Sequence, residues 1–224
     1  MSDPEGNDVE PGAAGADEKR DRILRAALEV CGRTGVTAAR MEEIAARAEV
    51  SKGTLYRFFA SKEDLLLATI LSSYEEAVQR VDAGLEAVQD PREVLAHLCN
   101  GLADVLVQIG AHARVQYQAW GVVAGTPAFE ARLLDFLRSF HSQRHAETVE
   151  ILRAGQAAGV FRADVSPAVV ADAMSAMLSG FIYRATFDPR GASRDALRAC
   201  LDTLVRGLLE ISDAGFEGGT RRGA

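Results

Sequence analysis

The chain has 224 residues, of which 48% are apolar and 25% charged, and this composition is typical of a globular protein with a substantial core. Its formal net charge of −7 argues against a protein that coats nucleic acid over its whole surface. Helix-forming residues dominate, and no run of alternating Val, Ile and Thr stands out. We therefore predict an all-α fold.

The charge is distributed unevenly along the chain. Residues 17–62 hold ten Lys and Arg against seven Asp and Glu, whereas residues 1–16 hold four acids and no base. The remaining residues are acidic overall. A basic segment inside an acidic protein predicts one small surface for an anionic partner.

Cysteine usage and the chain start predict a cytoplasmic protein without a membrane span. Cys31, Cys99 and Cys200 are widely spaced and form no CxxC motif, which is typical of reduced thiols. The first residues lack both the basic stretch and the apolar run of a signal peptide. No run of about 18 apolar residues is present either.

The elements follow in chain order. Residues 1–16 contain mainly Gly, Pro, Ala and acids and predict a disordered acidic tail. A helix then runs from Asp17 to the residues before Gly35, which suits a C-terminal cap. Two short helical segments follow around residues 41–59, and Ser61 with Asp64 forms a capping-box pattern that begins a long helix.

Beyond Pro91 the pattern predicts helices over about 91–110, 112–125, 128–158, 167–187 and 193–213. We expect a three-helix domain over residues 17–60 and a larger helical domain over 61–213. Residues 214–224 are expected to form a disordered tail.

Residues 41–59 have the pattern of a helix-turn-helix, in which the second helix can lie in the major groove of DNA. The positions that such a unit must bury are apolar: Ile44, Ala45, Val50 and Leu55. Side chains that can contact phosphates or base edges are left outside: Lys52, Thr54, Tyr56 and Arg57. Backbone N–H groups at Ser51 and Gly53 add donors for a phosphate.

The segment MEEIAARAEVSKGTLYRFFASKEDLL, residues 41–66, resembles the DNA-binding segment of the TetR (tetracycline-repressor) family of bacterial transcriptional regulators. The resemblance implies an all-helical homodimer that binds a palindromic double-stranded DNA operator and is released by a small-molecule effector. Among the positions that match the family pattern is Lys62. The predicted DNA contacts are Arg40, Ser51, Lys52, Gly53, Thr54, Tyr56, Arg57 and Lys62.

Three departures from the family pattern bear on these contacts. Glu49 stands where the family usually has Gly in the turn; if this position needs a left-handed conformation, Glu costs about 1 kcal/mol there and adds a negative charge near the DNA backbone. Ala39 and Arg40 replace a hydroxyl pair, so Thr37 is expected to cap the first helix of the motif. Phe58 occupies a position that often contacts phosphate, and we expect that contact to be absent or moved to Arg57.

Apolar and aromatic residues of the larger domain are candidates for an effector pocket, although each is equally consistent with ordinary core packing. They are Tyr117, Trp120, Phe136, Phe140, Met174, Met177 and Phe181, with Cys99 and His112 as polar contributors. The last two helices carry apolar stripes that predict the symmetric dimer interface. Its candidate residues are Val170, Ala173, Leu197, Leu201, Leu204 and Leu208.

We expect no metal, no cofactor and no catalytic site. His141 and His145 have the spacing of a metal-binding pair, but no further ligands accompany them. His97 and Cys99 point to different faces of a helix and form no catalytic dyad. The leading hypothesis is a ligand-responsive repressor. The alternative is a helical small-molecule-binding or enzymatic protein whose headpiece no longer binds DNA.

Overall fold

The computed structural model describes residues 13–83, 85 and 88–209. Over this part of the chain the protein is helical and contains no strand, which confirms the predicted all-α class. The helices are α1 (Ala13–Thr34), α2 (Met41–Arg47), α3 (Lys52–Phe58), α4 (Lys62–Asp82), α5 (Pro91–Gly110), α6 (Ala113–Ala124), α7 (Pro127–Ala157), α8 (Pro167–Ala185) and α9 (Arg194–Leu208). One isolated β-bridge pairs Phe161 with Leu209.

The helix bounds differ from the sequence prediction mainly at the ends of the chain. Helix α1 begins at Ala13, four residues before the expected start at Asp17. The rest of the predicted N-terminal tail and the whole predicted C-terminal tail lie outside the described residues. The internal helices lie close to the predicted ranges because Gly and Pro mark most of their ends.

Two compact units make up the structure. Of the described residues, those up to Val78 and Ile109–Ser139 form the first unit, and those of Gln79–Gln108 and from Phe140 onward form the second. Helices α4, α5 and α7 each contribute to both units, α5 only by its last two residues. The expected domain boundary between residues 60 and 61 remains a prediction.

The first unit joins the three N-terminal helices to α6 through one hydrophobic core. Ile44 and Leu55 of the helix-turn-helix are 1% and 0% exposed. Val115, Ala119 and Val123 of α6 belong to the same core cluster. Helix α6 therefore extends the core that the three N-terminal helices form.

Helix α4 begins with the expected capping interactions. The Ser61 hydroxyl accepts a hydrogen bond from the Asp64 amide at 3.1 Å, and the Asp64 carboxylate accepts one from the Ala60 amide at 3.1 Å. The Lys62 ammonium donates to the carbonyl oxygens of Thr37 at 2.9 Å and Ala39 at 2.6 Å. These bonds fix the start of α4 to the loop between α1 and α2.

The second unit has its own core, built from α5, α8, α9 and the end of α7. Leu95, Leu106, Met174 and Leu197 are all buried in it. The chain leaves α7 through Gly159, which has a φ of 68°, and Phe161 then packs back on Gly155. A Cβ on Gly155 would lie 2.0 Å from the Phe161 ring, so this packing requires glycine.

The turn between α2 and α3 is a Schellman motif with an unusual residue. The Val50 amide donates to the Ala45 carbonyl at 3.0 Å, and the Glu49 amide donates to the Ala46 carbonyl at 3.2 Å. Glu49 has a φ of 55° and is the one non-glycine residue with positive φ in the described part of the chain. The structure therefore confirms that Glu49 occupies the left-handed position that favours glycine.

Replacing Glu49 with glycine should stabilise the protein. We expect Glu49→Gly to raise the free energy of unfolding by about 0.5–1 kcal/mol, because it removes a left-handed penalty larger than the entropy cost of glycine. Ala46→Gly, at an exposed helical position of α2, should lower the same free energy by a similar amount. Denaturant titration measures both, and a loss of stability in Glu49→Gly would contradict the strain.

Candidate nucleic-acid interface

Helix α3 is held by one buried side chain and one cap. Leu55 is 0% exposed, so it fixes the inner face of α3 against the core. Ser51 caps the helix, because its hydroxyl accepts a hydrogen bond from the Thr54 amide at 3.0 Å. The hydroxyls of Ser51 and Thr54 lie 2.9 Å apart and form a second bond. Both predicted contact residues thus have a structural role at the start of α3.

The outer face of α3 carries two cations and a phenol. Lys52 and Arg57 are exposed, and Tyr56 is 42% exposed. The Lys52 ammonium lies 5.9 Å from the centre of the Tyr56 ring, and the Arg57 guanidinium lies 5.9 Å from the centre of the Phe58 ring. Such a face can neutralise phosphates and donate hydrogen bonds to them.

Phe58 acts as a packing residue. Its half-buried ring packs against the core beside Phe59, with the two ring centres 6.3 Å apart. It offers no polar group, and it supports the guanidinium of Arg57 instead. This geometry agrees with a phosphate contact that has moved from position 58 to Arg57, which remains a prediction.

Glycine at position 53 is not required by the fold. A Cβ at Gly53 would have one neighbour, the Ser51 hydroxyl oxygen, at an ordinary distance of 3.9 Å. Its backbone does not have a positive φ, unlike Gly35 and Gly159. Because Gly53 is exposed on α3, its small size suits an approach by a partner from outside.

Arg40 and Lys62 differ in how available they are to a partner. The side chain of Arg40 is 77% exposed, whereas the Lys62 ammonium already donates to two backbone carbonyls. Arg40 is also the N-cap of α2, and no side chain makes a capping hydrogen bond there. The expected cap by Thr37 is therefore wrong, and Thr37 contributes its backbone carbonyl to Lys62 instead.

Glu42 is a residue of this surface that the sequence reasoning missed. Its carboxylate accepts a hydrogen bond from the Lys52 ammonium at 2.6 Å, and its other oxygen lies 3.9 Å from Arg40 Nε. The hydrogen bond from Lys52 lowers the pKa of Glu42 and raises the pKa of Lys52. Ten positions separate the pair in sequence, so only the folded turn brings them together.

Glu49, the second acid near the turn, has a different environment. It lines a shallow depression with Arg22, Arg25, Arg47 and Glu29. The Arg47 guanidinium pairs with the Glu29 carboxylate at 2.5 Å. Arg22, Arg25 and Arg47 thus line the same depression as Glu49, and an added negative charge beside DNA remains a prediction.

The candidate pocket residues divide between the two compact units. Tyr117, Trp120, Phe136 and His112 belong to the first unit. Cys99, Phe140, Met174, Met177 and Phe181 belong to the second. Burial raises the pKa of the Cys99 thiol to about 11, so it is a neutral group at physiological pH. That the nine residues share one pocket remains a prediction.

Four rings of the first unit form an aromatic cluster, which we define as Tyr74, Tyr117, Trp120 and Phe136. The ring centres of Tyr117 and Trp120 lie 6.2 Å apart. Those of Tyr74 and Phe136 lie 5.9 Å apart, and these two rings pack edge to face. Burial raises the pKa of Tyr74 to about 12, with a smaller contribution from Tyr117, so the two phenols are neighbours. Tyr74 was not predicted from the sequence.

Most of the candidate dimer residues lie inside the protomer. Val170, Leu197, Leu201 and Leu208 are between 0% and 4% exposed, so they cannot also cover a partner. Ala173 and Leu204 are half-buried. An apolar stripe in the sequence does not say which neighbour it packs against, and the part that α8 and α9 take in a dimer interface remains a prediction.

The two histidines of α7 are not joined by further ligands. His145 Nε2 lies 3.3 Å from the Asp172 carboxylate, and the His141 ring packs on Phe140. Among the described residues no group of three or more His, Cys, Asp or Glu could hold a metal ion.

In the same part of the chain no single helix is long and apolar enough to cross a membrane, and only α5 and α6 taken together pass that test.

Two family models match the chain. Residues 23–69 match the model for bacterial regulatory proteins of the tetR family, which covers α2, α3 and the turn between them. Residues 91–210 match the model for the C-terminal region of BetI-type transcriptional repressors. The second match alone covers more than half of the chain.

Individual relatives and solved structures agree with these models. The repressor NicS of Pseudomonas putida is 29% identical over 157 residues, which are 67% of this chain and 69% of NicS. The repressor KstR of Mycolicibacterium smegmatis is 35% identical over 89 residues, but the match spans only 44% of KstR. A regulator from Saccharomonospora viridis, solved in complex with choline, is 26% identical with a TM-score of 0.67 and covers 87% of this chain and 99% of its own. The chain therefore belongs to the TetR family of bacterial transcriptional regulators and has a C-terminal region of the BetI type.

Proposed function

We propose that this protein is a repressor that binds a palindromic DNA operator as a homodimer in the cytoplasm and is released by a small-molecule effector. The supporting observation is the outer face of α3, where Lys52, Tyr56 and Arg57 are exposed beside a glycine that the fold does not need. A Schellman turn and the buried Leu55 fix the orientation of this face. A rigid base for exposed polar groups is what DNA recognition requires.

The alternative is a headpiece that no longer binds DNA. Glu42, which already occupies Lys52, is the observation that favours it. The intact helix-turn-helix argues against this alternative. A side-chain hydrogen bond caps the start of α3, and backbone hydrogen bonds close the end of α2. A helix-turn-helix that no longer binds DNA would not need an exposed glycine at position 53.

Gly53→Ala should separate stability from DNA binding. Alanine has the higher helix propensity, so we expect the free energy of unfolding to rise by up to about 1 kcal/mol. The added methyl group stands on the face that would meet the DNA backbone, so affinity for the DNA upstream of the protein's own gene should fall at least about tenfold. Denaturant titration and fluorescence anisotropy measure the two effects.

The salt dependence of the same binding curve decides between the two functions. Binding through phosphate contacts must weaken steeply as salt rises, because counterions are released from the DNA. If the wild type shows no binding to that duplex or to random-sequence DNA even at low salt, the repressor proposal is wrong. If Gly53→Ala binds as tightly as the wild type, α3 is not the contact helix.

The exposed faces of α8 and α9 are the better candidates for the dimer interface. We define the small-residue face by their exposed residues: Ala176, Ser179, Gly180 and Tyr183 on α8, and Ala199, Cys200, Thr203 and Gly207 on α9. Phe187, directly after α8, is 65% exposed. A Cβ on Gly180 or Gly207 would meet nothing within 4 Å, so both sites leave room for a second helix.

Cys200 provides a native probe of this interface. Its thiol is exposed, whereas those of Cys31 and Cys99 are buried, so a maleimide should react with Cys200 first. We expect the rate of this reaction to fall as protein concentration rises and the dimer forms.

Gly180→Arg should keep the rate high and give a monomer in light scattering, whereas Gly121→Arg, at an exposed glycine of α6, should dimerise normally. A rate that is the same in monomer and dimer would place the interface elsewhere.

We propose a small quaternary ammonium compound as the effector class. The S. viridis structure contains choline, and the C-terminal family model is of the BetI type. Aromatic faces attract such cations, each with about 0.5–2 kcal/mol. The aromatic cluster of Tyr74, Tyr117, Trp120 and Phe136 supplies such faces, and it lies in the same compact unit as the helix-turn-helix.

Choline and its neutral isostere 3,3-dimethylbutan-1-ol test this class directly. We expect choline to bind and lower DNA affinity, and the isostere, which has the same shape without the charge, to bind at least about tenfold more weakly. Trp120→Leu should weaken choline binding, whereas Phe129→Leu should not, because the Arg132 guanidinium already lies 5.7 Å from the Phe129 ring centre. Calorimetry measures the affinities, and equal binding of choline and the isostere would overturn the cation assignment.

A further inference from the structure

We propose that Glu42 competes with DNA phosphates for Lys52 and Arg40, and thereby lowers the affinity of the headpiece for DNA of any sequence. This inference rests on the proposed DNA-binding function. It gives a role to an acid that the DNA-binding pattern does not require.

The geometry gives one carboxylate two cationic neighbours. Glu42 lies in the first turn of α2, Arg40 is the N-cap of that helix, and Lys52 is the first residue of α3. One carboxylate oxygen of Glu42 lies 2.6 Å from the Lys52 ammonium, and the other lies 3.9 Å from Arg40 Nε. The carboxylate therefore occupies a position between two side chains that we assign to the DNA backbone.

The ion pair is not needed to hold the helices together. The side chains of Arg40, Glu42 and Lys52 are 77%, 47% and 58% exposed, and ion pairs in water contribute little to stability. Ile44, Ala45 and Leu55, which are 0–3% exposed, already pack α2 against α3. The contact is exposed and weak enough for an approaching phosphate to displace it.

A phosphate and a carboxylate accept the same hydrogen bonds from an ammonium or a guanidinium. When DNA approaches, either Glu42 releases Lys52 or its negative charge stays beside the phosphate. Both outcomes weaken binding, the first by an exchange of partners and the second by repulsion. Because non-specific binding consists almost entirely of phosphate contacts, the effect must appear with random-sequence DNA.

Glu43 is the matched control. It is the next residue of α2, also lies in the first turn, and carries the same charge. Its carboxylate pairs with Arg33 at 2.5 Å, and Arg33 lies near the end of α1 outside the predicted contact set. Glu42→Gln and Glu43→Gln therefore change net charge and the helix start equally, and differ in which cation they release.

The test measures binding of each variant to a fluorescent random-sequence duplex by anisotropy, at low and near-physiological salt. We expect Glu42→Gln to raise the association constant roughly fivefold at low salt, the effect of one unit charge at about 4 Å in water. Glu43→Gln should change it less than about twofold, since its carboxylate pairs with Arg33, which lies outside the contact set. The gain from Glu42→Gln should shrink as salt rises, because salt screens exposed charges.

A double-mutant cycle with Lys52→Gln identifies the partner. In the Lys52→Gln background Glu42→Gln should give a clearly smaller gain, since the main cation for which Glu42 competes is absent.

Equal gains from Glu42→Gln and Glu43→Gln, or an unchanged affinity in Glu42→Gln while the wild type binds, would overturn this inference alone. A weaker binding in Glu42→Gln would also overturn it, because Glu42 would then position Lys52 for DNA. If neither the wild type nor any variant binds the duplex at low salt, both this inference and the repressor proposal fail.

Discussion

The packing of α6 against the N-terminal helices is the constraint on which the rest of the first unit depends. Val115, Ala119 and Val123 complete the core that buries Leu55, and Leu55 in turn fixes the recognition helix α3. The Val36 amide, in the loop after α1, also donates to the Gln118 side chain at 3.4 Å. The core beneath α3 therefore includes side chains of α6, which lies some 60 residues further along the chain.

This packing suggests how an effector would act on DNA binding. Tyr117 and Trp120 lie on α6 among the residues of the headpiece core, and Trp120 itself packs against that core, so a ligand against those rings would press on a helix that supports α1. Helix α4 is also tied to the α1–α2 loop, by the hydrogen bonds of Lys62. Both α4 and α6 therefore contact the N-terminal helices, and a shift of either one would act on them.

The sequence predicted what depends on local patterns and missed what depends on distant neighbours. Helix ends marked by Gly and Pro, the buried Leu55 and the left-handed Glu49 follow from local rules, and the structure agrees with them. Amphipathic spacing identifies Leu197 and Leu201 as buried residues but not the partner that buries them, and in the structure both lie inside the protomer. The Glu42–Lys52 pair and the place of Tyr74 beside Tyr117 arise only when separate helices meet.

The two acids near the turn have different neighbours. Glu49 lines a depression with three arginines, whereas Glu42 accepts a hydrogen bond from Lys52 on the proposed contact face. An effector can weaken operator binding only by its preference for one conformation, typically about 1–3 kcal/mol. A coupling of this size releases the protein from most operator sites only if its affinity for the operator without effector is not much higher than repression requires. A carboxylate that reduces the phosphate contribution brings the affinity into that range, so Glu42 would make the repressor easier to induce.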